Sequence, residues 1–347
     1  MVAFQGDRRC MVRACLGLRT AIRVLVPLVG KPVNRREDLY ELARSVPWEE
    51  HLRHGGTLAV TVAARSEVFS HSRFAAQVVK DAVVDRVRDR RGERPSVDLK
   101  NPDLAIHLHI HGGQGTISLD ASGTPLSRRG YRPRGGPAPL NEALAAGLLL
   151  LAGYDGERPL LDPMGGTGTF AAEAALIATR TPPGLRRRFA FERWLDHNRK
   201  VYESARRELE GRRRAAPQPI LATDHDAKAV AAAGRNIEAA GMQQWVEIRH
   251  GEATAMEPPG DGAVIVINPP YGQRLGDASS LQGLYRALGD RLKAVGSGCT
   301  AWVLAGNREL AKCIGLRASR RIQVFNGPLE CRWMRFDLYS GSHKHKD

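Results

Sequence analysis

The stretch Leu160-Leu161-Asp162-Pro163-Met164-Gly165-Gly166-Thr167-Gly168-Thr169-Phe170 restricts the fold more than any other part of the chain. Pro159 to Leu161 read as a short apolar strand that breaks at Asp162-Pro163. Three glycines follow, and then an Ala-rich helical pattern from Ala171 to Ala178. Strand, glycine loop and helix N-terminus together make a nucleotide-sized seat. Glycine lets a ligand approach the backbone, and the first N–H groups of a helix have no partner within it. The aspartate at the strand tip is a negative charge that a phosphate avoids. It favours a nucleoside bearing a cation, such as S-adenosylmethionine. For the loop by itself, a tight structural turn is the plain alternative.

From this strand onward strands and helices alternate, the pattern of an α/β doubly wound parallel sheet. Strands are expected at 159–161, 219–223, 245–249, 263–267, 300–304, 321–325 and 332–338, the last two a hairpin around Asn326-Gly327-Pro328. Ligands of such sheets lie across the carboxyl ends of the strands, so the tips can be read in turn. The second strand ends at Asp224, with Asp226 two positions on, where a carboxylate can accept two hydrogen bonds from ribose hydroxyls. The third leads to Gly251-Glu252-Ala253, where an acidic group can accept from an adenine amine. The fourth ends in Asn268-Pro269-Pro270-Tyr271.

That tetrapeptide sets the reaction class. The lone pair of a base's exocyclic amine is delocalised into the ring, so the amine is a poor nucleophile. Two acceptors, the Asn268 side-chain oxygen and the Pro269 carbonyl, can hold its two hydrogens and favour a more tetrahedral nitrogen. Consecutive prolines fix the turn and leave that carbonyl without a ladder partner, and Tyr271 can stack on a flipped base. A sulfonium donor supplies the driving force, so the protein contributes position and electrostatics.

The rest of the chain bears on what the base belongs to. Among 347 residues, 52 are basic and 37 acidic, a net charge of +15, and only nine of the basic residues are lysine. Arginine suits phosphate contact, although an Ala-, Gly- and Arg-rich composition also follows from coding bias. Five scattered cysteines form no CxxC pair, no His cluster suggests a metal, and no apolar run reaches membrane length. A reduced, metal-free, cytoplasmic protein is expected. Residues 1–35 read as strand (Val2-Ala3-Phe4), helix (Arg9 to Arg19) and strand (Ile22 to Leu28). They resemble the second half of a small α+β unit, continued by 113–126. Residues 36–112 read as another α+β block, with a helix from Phe74 to Arg88 carrying Arg73, Lys80, Arg86 and Arg88 on its polar face. A merely solvated face is the plainer reading of that helix. A basic linker, 127–139, precedes the catalytic domain, 140–347. Between positions 180 and 214, twelve Arg or Lys stand against five acidic residues, with Trp194 and Tyr202 interleaved. This insertion is either a solvated helical pair or a nucleic-acid surface. Candidate RNA contacts are Arg73, Lys80, Arg129, Arg132, Arg186, Arg187 and Arg188.

The chain resembles the THUMP-domain RNA guanine-N2-methyltransferases, most closely the N2-guanine half of bacterial 23S rRNA methyltransferases. The residues that carry the resemblance are Phe4-Gln5-Gly6-Asp7, Leu18-Arg19-Thr20-Ala21, Lys80-Asp81-Ala82, Ser122-Gly123, Arg129-Gly130-Tyr131-Arg132 and Ala138-Pro139-Leu140. Asp162-Pro163-Met164, Asn268-Pro269-Pro270-Tyr271-Gly272 and Asn326-Gly327-Pro328-Leu329-Glu330-Cys331 complete the set. The resemblance implies a class I, Rossmann-like methyltransferase domain preceded by a THUMP domain (36–112) and a truncated ferredoxin-like unit that capture RNA. It places S-adenosylmethionine on Asp162, Pro163, Gly165, Gly166, Gly168, Thr169, Asp224, Asp226, Glu252, Ala253 and Asn268. Catalysis falls to Asn268, Pro269, Pro270 and Tyr271. Gly165 stands where the family has cysteine, and Glu252 where it has aspartate. The first strand and helix of the ferredoxin-like unit are missing, which implies a misassigned start or a degenerate platform. The expected substrate is 23S rRNA. Alternatives are tRNA guanine, DNA adenine, protein glutamine, or a non-catalytic ribosome-assembly factor.

Overall fold

The computed structural model describes residues 2–65, 69, 71–133, 140–272, 278–295 and 298–339. Part of the expected linker (134–139), including Ala138-Pro139, lies outside the described residues. The chain forms two units, Met1–Leu126 with Arg187–Glu208, and Ser127–Arg186 with Leu209–Asp347.

In the first unit, α1 (Arg8–Gly17) is capped by Asp7, whose carboxylate accepts the Cys10 N–H at 2.8 Å. Val2 to Phe4, expected as a strand, are without regular secondary structure, and Phe4 is exposed. There follow β1 (Leu25–Pro32), α2 (Arg36–Ser45), β2 (Thr57–Arg65), α3 (Ser72–Arg91), β3 (Ser96–Val97), β4 (Leu104–His111) and β5 (Gln114–Asp120). Among the described residues they form a five-stranded sheet in the order β1-β5-β4-β2-β3. Segments 1–35 and 113–126, read from sequence as a unit apart from 36–112, therefore share one sheet with it: β5 pairs with both β1 and β4. On the polar face of α3, Arg86 is held by Glu49 at 2.8 and 2.9 Å and Lys80 is ion-paired with Asp81, while Arg73 is exposed.

The segment Arg187–Glu208, read as an insertion of the catalytic domain, belongs to this first unit because it is apolar as well as basic. Phe189, Phe191 and Trp194 are buried, and the Phe191 N–H donates to the Ala121 carbonyl at 3.2 Å. Arg187 donates to the carbonyls of Ser122, Thr124 and Pro125 at 3.0, 2.7 and 2.6 Å. Its guanidinium thus closes a turn, which corrects its reading as an RNA contact.

The second unit contains α4 (Glu142–Leu151), β6 (Leu160–Asp162), α5 (Thr169–Ala178), the end of α6 (Arg199–Glu210), β7 (Ile220–Asp224), α7 (Ala227–Ala240), β8 (Val246–His250), β9 (Val264–Ile267), α8 (Ala278–Ala294), β10 (Thr300–Ala305), α9 (Arg308–Lys312), β11 (Arg320–Asn326) and β12 (Leu329–Asp337). The sheet order is β11-β12-β10-β9-β6-β7-β8, with β12 antiparallel to both neighbours. The strand order reverses at β6, which lies between β7 and β9, so a crevice opens at the carboxyl end of β6. Trp302 and Trp333 stack at 5.5 Å under one face, where the Trp333 indole N–H donates to the Leu148 carbonyl at 3.1 Å.

Helix α5 is buried on every side, and that constrains its single charged residue. Glu173 is 0% exposed and pairs with Arg129, itself 2% exposed, at 3.2 Å; the Tyr131 hydroxyl donates to the same carboxylate. Gly130 between them has φ 97°, and a Cβ there would lie 2.4 Å from the Arg186 carbonyl oxygen. The Arg129-Gly130-Tyr131 run is therefore a strap over α5, and Arg129 is no surface contact for RNA. Removing one partner of a buried ion pair leaves the other charge uncompensated. Arg129→Ala is expected to lower unfolding free energy by about 3–5 kcal/mol, read by chemical denaturation; an unchanged midpoint would contradict the strap.

Candidate active site

The carboxyl ends of β6, β7 and β9 converge on a cavity of about 680 Å³, a volume typical of small-molecule sites. Its walls include Asp162, Pro163, Gly165, Gly166 and Thr169 from the first strand tip, Asp224 from the second, Glu252 and Ala253 after the third, and Asn268, Pro269, Pro270 and Tyr271 from the fourth. Two candidates fall outside it. Asp226 is exposed and caps α7, accepting the Lys228 N–H at 2.8 Å. Gly168, at φ 80°, is the turn residue that admits α5 against α7, since a Cβ would meet that of Ala233 at 3.1 Å. Both serve the backbone rather than the cavity.

The loop is shaped by its own hydrogen bonds. The Gly165 N–H donates to the Thr223 carbonyl at 2.9 Å, and the Gly166 N–H to Asp224 Oδ2 at 2.8 Å. Asp224 Oδ1 takes the Asp226 N–H at 2.9 Å. Each carboxylate oxygen keeps acceptor capacity for a ligand hydroxyl. A Cβ at Gly165 would stand 3.4 Å from Ala222 Cβ and from the Thr223 carbonyl oxygen, an ordinary contact, so this glycine is not sterically required.

Asp162 is the most unusual group. It is 1% exposed, its Oδ1 has no hydrogen-bond partner, and burial pushes its pKa up to about 8. The Met164 backbone N–H counteracts that shift, while the charge of Asp224 adds to it. With Asp224 and Glu252 also lining it, three acidic side chains face one cavity. Such a site repels phosphate and suits a polyhydroxylated ligand with a positive charge, the donor set expected for a nucleoside bearing a cation.

At the opposite wall the Tyr271 hydroxyl donates to Asn268 Oδ1 at 2.6 Å. Burial, and next the neighbouring Cys331, raise the tyrosine pKa, so the hydroxyl stays protonated. The ring lies over Gly306, where a Cβ would come within 2.7 Å of it. A carboxamide oxygen accepts two hydrogen bonds, so Asn268 keeps one position free while its orientation is fixed. Asn326, a residue that sequence reasoning did not place at the site, also lines the cavity, and its side chain works against the rise in the Tyr271 pKa. It sits there because β11 runs parallel to β10, so the β11–β12 turn returns to the edge of the sheet that holds the cavity.

The remaining expected RNA contacts are dispersed. Arg186 and Arg188 are exposed. Arg132 is only 16% exposed and is drawn inward to Glu142, the Leu140 carbonyl and the Thr169 hydroxyl. Among the described residues no cluster of His, Cys, Asp or Glu is arranged to hold a metal, and no helix is long and apolar enough to cross a membrane.

Comparison with known proteins gives matches for both units. Residues 129–335 match the family model described as UPF0020, RMKL-like, methyltransferase domain, and residues 34–120 match the THUMP domain. A ribosomal RNA large subunit methyltransferase K/L from Syntrophotalea carbinolica is 44% identical over 97% of this chain, which spans 49% of that relative. The chain thus spans about half the length of the curated relatives of this name that it matches. A Synechocystis protein named "Putative RNA methyltransferase slr0064" is 38% identical, with 97% of this chain and 88% of that one aligned. A solved structure from Listeria monocytogenes, described as a predicted N6-adenine-specific DNA methylase, superposes with a TM-score of 0.85 at 28% identity, covering 96% of this chain and 87% of that one.

The tyrosine–asparagine bond has a measurable consequence. Tyr271→Phe keeps the ring and removes the hydrogen bond that orients Asn268. It is expected to lower kcat about tenfold, the scale of one lost hydrogen bond, with KM retained. A wild-type kcat would show the bond to be incidental.

Proposed function

The chain belongs to the RMKL-like methyltransferase family and carries a THUMP domain, and from that premise we propose that it methylates the exocyclic N2 amine of a guanine in RNA. S-adenosylmethionine supplies an electrophilic methyl group when bound. The residues that would hold it are Asp162 and the glycine loop at the methionyl end, Asp224 at the ribose, and Glu252 at the adenine. The observation that carries the reading is that Asn268 and Asp162 line one cavity, so an amine acceptor pair and a counter-charge for a cation face the same space. Asn268 Oδ1 and the Pro269 carbonyl accept the hydrogens of the guanine amine and hold its nitrogen toward the glycine loop.

RNA is favoured as the substrate class by the THUMP match and by the net charge of +15. Ribosomal RNA comes before tRNA in this reading because the Syntrophotalea carbinolica relative is named a ribosomal RNA large subunit methyltransferase. A second reading, adenine N6 in DNA, has the description of the Listeria structure in its favour, and the same acceptor pair would serve it. Mapping modified nucleosides with and without the gene separates them. N2-methylguanosine is expected to disappear from ribosomal RNA in the deletion and to return with the wild-type gene but not with Asn268→Ala. Loss of N6-methyladenine from DNA instead, or full restoration by Asn268→Ala, would contradict the proposal.

A further inference from the structure

One corner of the cavity differs from the rest in charge and in hydrogen-bonding direction. Asp162, Asp224 and Glu252 make the other walls acceptors. At the N-terminus of α5, the lining changes to Thr167 and Thr169. Thr169 is 4% exposed, and the Arg132 guanidinium donates to its Oγ1. A guanidinium only donates, so Thr169 Oγ1 must act as acceptor in that bond and its own proton is left over. Among the described residues nothing accepts that proton, and Thr167 Oγ1 is likewise buried without a partner. Arg132 is itself anchored by the Leu140 carbonyl at 3.4 Å and by Glu142 at 3.5 Å, with its Nε unpartnered. The amino-acid end of the cofactor carries an ammonium and a carboxylate. The charges of Asp224 and Glu252 repel the latter, and the Thr167–Thr169 corner, with the N–H groups of a helix start, is the part of the lining that can donate to it.

We infer that Arg132 is a positioning residue that turns the Thr169 hydroxyl toward the carboxylate of the bound cofactor, and that it does not contact RNA. The inference rests on the proposed methyl donor and adds the group that fixes its amino-acid end. Calorimetry on the full chain tests it with two ligands, S-adenosylhomocysteine, which has the carboxylate, and 5′-methylthioadenosine, which lacks the amino-acid portion. Arg132→Met and Thr169→Val are each expected to weaken S-adenosylhomocysteine about tenfold and to leave 5′-methylthioadenosine within twofold. The double variant should lose little beyond the larger single loss, and Arg132→Lys should recover part of the affinity. The dependence of RNA binding on salt should be the same for Arg132→Met as for wild type.

Equal weakening of both ligands would make the role purely structural, and unchanged S-adenosylhomocysteine affinity in Thr169→Val would remove the hydroxyl from the site. Either result overturns the inference while leaving the donor assignment standing. Should the wild-type chain bind neither ligand, the donor assignment fails and the inference with it. Thr169→Val tests the same hydroxyl even if Arg132→Met does not fold.

Discussion

A carboxylate buried without a full set of partners is an unfavourable thing to build, and the second unit is arranged around one. Asp162 ends a strand that is covered on both faces, so water cannot solvate it, and one of its oxygens has no donor. Its burial follows from β6 standing between β7 and β9 at the point where the strand order reverses. The same topology brings Asp224 and Asn268 to neighbouring strand tips and ties the glycine loop to Asp224. Cost and function coincide here: the group that is costly to ionise in this cavity is the one whose charge a cationic ligand would compensate.

The strand tips were legible in the sequence because each chemistry-bearing residue directly follows a short apolar run. Asp162 follows Leu160-Leu161, Asp224 follows Ile220 to Thr223, and Asn268 follows Val264 to Ile267. One step beyond the tips the reading loses force. Asp226 looked like a second ribose acceptor, but two residues past the strand the backbone is already starting α7, and the carboxylate caps it. Asn326 was not placed at the site because its position depends on which way an edge hairpin runs, a property of sheet order rather than of local sequence.

Arginine was the least legible residue type. Charge alone does not tell whether a guanidinium faces solvent or closes an internal turn, since that depends on a partner far away in sequence. Arg129 is buried against Glu173, Arg187 is spent on three carbonyls, and Arg132 is drawn to Thr169, while Arg73, Arg186 and Arg188 remain at the surface. Signals for the buried ones did exist. Glu173 is the only charge in an otherwise Ala-rich helix, and a charge there needs a counter-charge. Phe189, Phe191 and Trp194 marked the basic insertion as a segment that must pack, and it does so within the first unit.

Binding at this cavity depends most on Asp162 meeting a cation. Its pKa of about 8 leaves it mostly protonated at pH 7 in the unliganded protein. A bound positive charge lowers that pKa and expels the proton, so affinity for the cation must rise with pH up to about 8. The direct measurement is calorimetric binding of S-adenosylmethionine at pH 7 in buffers of different ionisation enthalpy, without RNA. Release of about one proton per site is expected, abolished by Asp162→Asn. Binding with no buffer dependence, or with the same release in Asp162→Asn, would contradict it.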